Sequence, residues 1–360
     1  MRVRISFFGL GLAAGLIVSS GYSYASDQEQ CERATANEQQ RHDACERIQR
    51  DSTSSPRARS RALFQLGLLE QMKPDGFYQA LGMLDAAVAA DPTYVPAILA
   101  RAEWFVLDNK GYDAVKLLEP ARAANPHDVD LLVMTGRANA ALKLPERALQ
   151  FFSDALKVDP DHMRAYYESG RVYEMANDFA NAAEAYRKAG ERYDPSYVSQ
   201  GWVGIEHPYL AAARSYNRLG ETDKALALLT NVIDHSPPGS VLPYIFEQRA
   251  SEYEMLGFNN EAIADLTSAL RFAPPNEHTP LLFKRALLYK KVGKRQEAEE
   301  DFGRAIRNSD RRSILRMQVY LRNHGYTEVV INGVADPGLL KLISACLAVA
   351  KCGDGLGRPI

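Results

Sequence analysis

Ala80, Ala114, Ala148 and Ala182 stand 34 residues apart, and each opens the same short pattern. A large apolar residue follows at plus four, a small one at plus seven and a proline at plus twelve. The sets are Ala80, Leu84, Ala87, Pro92; Ala114, Leu118, Ala121, Pro126; and Ala148, Phe152, Ala155, Pro160. The fourth keeps Ala182, Tyr186 and Ala189 and moves its proline one place on, to Pro195. At looser spacing the pattern returns as Ala225, Leu229, Val232, Pro237, as Ala262, Leu266, Ala269, Pro274, and as Ala298, Phe302, Ala305 without the proline. A proline cannot continue a helix, so it punctuates the units. A fixed period of this length means that neighbouring units bury their apolar faces on each other, in an array rather than around one central core.

Twelve residues before most of the key alanines stands another small residue: Ala102, Gly136, Gly170, Ala213, Ala250 and Ala286, with Gly67 thirteen before in the first unit. An aromatic follows three later in Phe105, Tyr173, Tyr216, Tyr253 and Tyr289. This pattern resembles the tetratricopeptide repeat, a helix-turn-helix unit with small residues at its eighth and twentieth positions and an aromatic at its eleventh. The resemblance implies an all-α, right-handed superhelical solenoid of about seven repeats over residues 60–310. It leaves residues 26–59 as an N-terminal cap and 311–360 as a C-terminal cap. It also implies a binding groove lined by the first helix of each pair. The ninth position is Arg137, Arg171 and Arg214 in three successive units, and Arg164, Tyr167 and Asn217 fall at nearby groove positions. Guanidinium groups bind carboxylates bidentately, so this row suits an acidic peptide segment. The other reading is that the arginines pair with Glu103, Glu168 and Glu174 as surface ion pairs. The polar and aromatic insertion from Tyr193 to Pro208, with Tyr197 and Trp202, interrupts the array where binding loops often sit.

The first residues carry an address. Arg2 and Arg4 precede an uncharged apolar stretch, Ile5 to Val18, and Ser23-Tyr24-Ala25 supplies small residues for a signal peptidase. Residues 1–25 are therefore expected to be a signal peptide, too short in its apolar part to span a bilayer. The mature chain is then exported, most simply to a periplasm, with secretion as the other destination and no transmembrane segment. Export makes a disulfide reading natural for Cys31, Cys45, Cys346 and Cys352, an even set with two cysteines near each end. Neither pair fits within one straight helix, so each demands a bend. A metal site from Cys31, His42 and Cys45 is the rival, with only three candidate ligands.

After Asp310 the repeat stops. The arrangement Gln318-x-x-Leu321-x-x-x-Gly325-Tyr326 followed by Ile331-Asn332-Gly333 resembles the first half of a small peptidoglycan-binding module. That resemblance implies contact with the cell wall, but Ala335-Asp336-Pro337-Gly338 replaces the Gly-x-x-Thr turn of the family's second half. A simple cap is the alternative.

Enzyme signatures are missing from the sequence: there is no Gly-x-Ser-x-Gly elbow, no His-Glu-x-x-His site and no Gly-x-x-x-x-Gly-Lys loop. Lys plus Arg is 43 against 45 for Asp plus Glu, which lacks the basic excess of a nucleic-acid binder. The reading is a non-enzymatic, cofactor-free and metal-free scaffold that holds an envelope protein or peptide in its concave face. The alternative is a cell-wall-associated factor that touches peptidoglycan through its C-terminal segment.

Overall fold

The computed structural model describes residues 27–33, 37–194, 207–235, 242–347 and 349. The expected signal peptide (1–25), Tyr197, Trp202 and Cys352 lie outside the described residues. Helices account for the described chain: α1 (Glu38–Arg50), α2 (Pro56–Gln71), α3 (Phe77–Ala90), α4 (Val95–Leu107), α5 (Gly111–Ala124), α6 (Val129–Ala141), α7 (Pro145–Val158), α8 (Met163–Met175), α9 (Phe179–Glu191), α10 (Pro208–Arg218), α11 (Thr222–His235), α12 (Leu242–Met255), α13 (Asn259–Phe272), α14 (His278–Lys291), α15 (Arg295–Arg307), α16 (Arg311–Asn323) and α17 (Pro337–Leu347). Two compact units contain them, residues 1–172 and 173–360.

Within the first unit α2 packs on α3, α4 on α5 and α6 on α7, each pair also touching the next. Small residues set the spacing. Ala80, Ala114 and Ala148 are fully sealed from solvent, and Gly136 on α6 lies against the ring of Phe152 on α7, where a Cβ would come within 2.4 Å of ring carbon Cε1. The apolar residue at plus four then fills the space between pairs: Leu118 joins Ile98, Leu131 and Met134 in one core, and Phe152 joins Ala165 and Val172 of α8 in the next. At the N-terminus, Asn37 caps α1 by accepting from the Gln39 backbone. That bend brings Cys31 and Cys45 to a Cα separation of 4.9 Å, where they form a disulfide. With both thiols consumed, the rival metal site has no cysteine ligand left, and His42 instead sits 3.7 Å from Glu70.

The second unit repeats the scheme with α10 and α11, α12 and α13, and α14 and α15. Ala225, Ala262 and Ala298 are sealed in turn. Gly190 on α9 supports the ring of Tyr209 on α10 as Gly136 supports Phe152. In the pairs after the first, the loop inside the pair uses a left-handed residue to close the first helix. Glycine supplies it at Gly220, Gly257 and Gly293, whereas the corresponding places earlier in the chain are Asn109, Lys143 and Asn177. Asparagine tolerates this conformation and lysine does so poorly.

At the C-terminal end α16 and α17 pack on α14 and α15 through Ile314, Met317, Leu321, Leu339, Ile343 and Cys346. Cys346 is disulfide-bonded. The buried Gln318 holds the loop that follows α16. Its Oε1 accepts from the backbone N–H groups of Asn332 and Gly333, and its Nε2 donates to Asn332 Oδ1 and to the Val334 carbonyl. Gly333 has a φ of +71°. The residues that carry the resemblance to a peptidoglycan-binding module therefore build a rigid loop, with Val330 and Val334 exposed on it.

Gly136→Ala is expected to lower stability by about 1–3 kcal/mol through overpacking. Gly82→Ala, whose Cβ meets nothing within 4 Å on α3, is expected to raise it by about 0.5–1 kcal/mol. Denaturant midpoints of the two variants beside the parent check both signs.

Candidate functional site

The face shared by successive first helices carries most of the sequence-predicted residues. In the first unit, Glu103 on α4, Arg137 on α6 and Arg164, Glu168 and Arg171 on α8 meet in one network. Arg137 is only 6% exposed. Its terminal nitrogens donate to Glu103, one of them at 2.8 Å to Oε1, and its Nε lies 2.9 Å from Glu168 Oε1. Arg164 adds contacts of 3.3 Å to Glu103 and 3.5 Å to Glu168, and Arg171 donates to Glu168 at 3.1 Å.

Burial works against the charge on Arg137, but Glu168 and Glu103 outweigh it and hold the guanidinium well above its ordinary value. Arg164 moves the other way, because burial and the neighbouring Arg137 both disfavour its charge. Burial likewise opposes ionisation of Glu103, and the hydrogen bond and charge of Arg137 reverse that, leaving its carboxyl below the usual range. Tyr167 is buried on the same helix. Of the expected groove residues of this unit, the structure thus gathers Arg137, Arg164 and Arg171 around two carboxylates, and only Arg171 keeps a largely exposed side chain.

In the second unit, Arg214 on α10 holds Glu174 at 3.0 Å with its side chain 44% exposed. One turn on, Asn217 donates to Glu252 on α12 at 2.5 Å. The next step along the face repeats the device in the same sense, Lys284 and Lys291 on α14 holding Glu247 and Glu254 on α12. The flanks of the insertion meet as well: Tyr193 lies 4.4 Å from His207, and His207 stacks on Tyr209 at 5.7 Å. Burial pushes His207 down to about 4, so its neutral ring is free to accept from the Tyr209 N–H at the start of α10.

Sequence reasoning missed a second set of arginines. Arg249 and Arg285 stand immediately before the small residues Ala250 and Ala286. Arg249 grips Asp265 on α13 through two bonds of 2.8 and 2.7 Å and Thr230 on α11 at 2.9 Å. Arg285 repeats this with Asp301 on α15 at 2.6 and 2.8 Å and Thr267 on α13 at 2.9 Å. Each arginine ties its own pair together and to the pair before it. The findable signal was an Arg-Ala dipeptide with an aspartate sixteen residues later, occurring twice at a separation of 36. Among the described residues, no group of three or more His, Cys, Asp or Glu side chains is placed to hold a metal ion.

Comparison with known proteins agrees with this geometry. Three family models, each described as tetratricopeptide repeat, match residues 112–157 and 145–196, 209–238, and 279–310. The chain is a tetratricopeptide-repeat protein, an all-α solenoid of helix pairs. A tetratricopeptide repeat protein from Parabacteroides merdae is 17% identical, with 71% of this chain and 94% of that one covered and a TM-score of 0.49. YrrB, described as a TPR protein with an unusual peptide-binding site, is 20% identical over 53% of this chain and 92% of its own, with a TM-score of 0.39. A probable UDP-N-acetylglucosamine–peptide N-acetylglucosaminyltransferase, SPINDLY, of Hordeum vulgare is 37% identical over 89 residues, 25% of this chain. Tetratricopeptide repeat protein 37 of Xenopus laevis is 37% identical over 95 residues, 26% of this chain. The matched segment spans 9% and 6% of those two proteins.

Removing Glu168 leaves two buried guanidiniums sharing Glu103. Glu168→Ala is expected to cost about 3–5 kcal/mol, as for other broken buried pairs, and Arg171→Ala about 0–1 kcal/mol. Chemical denaturation of the two variants distinguishes the sealed part of the network from its exposed edge.

Proposed function

We propose that this protein is an exported, non-catalytic scaffold that holds a protein or peptide partner of the cell envelope on the faces of its first helices. The observation that carries the reading is the row of exposed cations held by carboxylates across adjacent repeats, with Arg214, Lys284 and Lys291 about half exposed. Such pairs are worth little in water, so a partner's carboxylate exchanges for the internal one at small net cost. In the first unit Arg171 offers the same exchange, while Arg137, Arg164 and Tyr167 stiffen the wall behind it. In the second unit Arg214 is the contact residue, and Asn217 beside it ties α10 to Glu252 of α12. Export is supported by the leader-like residues 1–25 and by the Cys31–Cys45 disulfide, which suits an oxidising compartment. No helix among the described residues is long and apolar enough to cross a membrane.

Affinity capture from envelope extract tests this. The parent is expected to retain an acidic partner that elutes as salt rises, because exposed pairs are screened. The Arg214→Ala, Lys284→Ala double variant is expected to retain markedly less, and undiminished capture by it sinks the proposal.

The loop clamped by Gln318 favours a second reading, in which the C-terminal segment contacts peptidoglycan through exposed Val330 and Val334. Under that reading the purified protein pellets with insoluble peptidoglycan and Val330→Ser, Val334→Ser abolishes pelleting. A parent chain that stays in the supernatant removes this reading and leaves the first untouched.

A further inference from the structure

Asn217 and Glu252 join the first helices of two adjacent repeats, yet their one donor is outnumbered. Asn217 Nδ2 donates to Glu252 at 2.5 Å. The other two atoms, Asn217 Oδ1 and Glu252 Oε2, are both acceptors, both closed to solvent, and neither has a hydrogen-bond partner in the protein. Glu252 as a whole is 6% exposed. An orphaned buried acceptor costs about 1–3 kcal/mol, and more when it is charged. Two of them, one on each member of a single pair, are satisfied together by one hydrogen atom placed between them.

We propose that Glu252 is held as the neutral carboxylic acid and donates its own Oε2–H to Asn217 Oδ1. The pair is then a closed ring of two hydrogen bonds, amide to acid and acid to amide, that fastens α10 to α12. A proton is the bound ligand, and the site takes it up from solvent as the repeats dock. Burial of Glu252 favours this state by pushing its carboxyl above the ordinary 4.5, against the opposing effect of the Asn217 hydrogen bond.

The charges on the surrounding elements are committed elsewhere. On α9 Arg187 is held by Glu184 and Glu191. On α10 Arg214 is held by Glu174, and Arg218 lies over the Phe179 ring. Lys224 on α11 holds Glu221, and Arg249 on α12 holds Asp265. From α14, Lys284 and Lys291 hold Glu247 and Glu254.

The sign of the pH effect follows. A carboxyl with a raised folded value binds its proton more tightly folded than unfolded, so its contribution to stability is complete at low pH. It is lost as pH rises through the folded value. Above it, both Glu252 Oε2 and Asn217 Oδ1 are left without a donor in the protein.

Glu252→Gln supplies the missing donor permanently, because the new amide N–H reaches Asn217 Oδ1 at any pH. The thermal midpoint of the full chain is expected to fall between pH 5 and pH 8 in a component that Glu252→Gln lacks, leaving the variant more stable than the parent at pH 8. In the parent labelled with ¹³C at glutamate carboxyls, the resonance absent from the variant is expected to titrate above the free-glutamate range. A Glu252 resonance that titrates at or below that range overturns the proposal, as does a Glu252→Gln chain that folds but is less stable than the parent at pH 8. If the variant fails to fold, the parent's resonance still decides by where it titrates.

Discussion

Everything in this solenoid depends on how closely the two helices of a pair approach. Helix axes pack about 8–10 Å apart, depending on the side chains at the crossing, and alanine or glycine at the crossing allows the near end of that range. Where Gly136 meets Phe152 the fit leaves no space for even a methyl group. Because the crossing is tight, the large residue at plus four is pushed outward into the gap before the next pair, and each joint between successive repeats gains a core of its own. The loops, the caps and the charged faces are arranged around that spacing.

Charge is organised by the same geometry. Stacking places residues one repeat apart side by side, so a cation on one first helix meets a carboxylate on a neighbouring one: Arg137 with Glu103 and Glu168, Arg214 with Glu174, Lys284 with Glu247. The network around Arg137 is sealed and stiff, whereas the pairs at Arg214 and Lys284 are open to solvent. A scaffold gains from both kinds, since a rigid wall reduces the ordering cost of binding and an exposed pair can trade partners.

The architecture was legible because periodicity survives in a single sequence. Key alanines, plus-four apolar residues and terminal prolines each report a packing position without reference to any other part of the chain. The site was legible only in outline. Arg137, Arg171 and Arg214 share one repeat position, but their burial differs because Arg137 is flanked by carboxylates from two neighbouring helices and Arg171 is held by one from its own. The resemblance gives no weight to Glu252, whose interest lies in what Asn217 fails to provide. Lys143 at a left-handed position was equally hidden, because asparagine and glycine announce such turns and lysine does not.

The arginine that joins each pair to the one before it reaches across units in one direction only: Arg249 to Asp265 and back to Thr230, Arg285 to Asp301 and back to Thr267. The pair α12 and α13 therefore carries both ends of such a joint, Arg249 as the hook and Thr267 as the eye. A tandem duplication of about 36 residues within this stretch would arrive with its coupling already in place. Lengthening such a chain requires no invention at the seam, so the number of repeats is free to vary during evolution while the manner of joining stays constant.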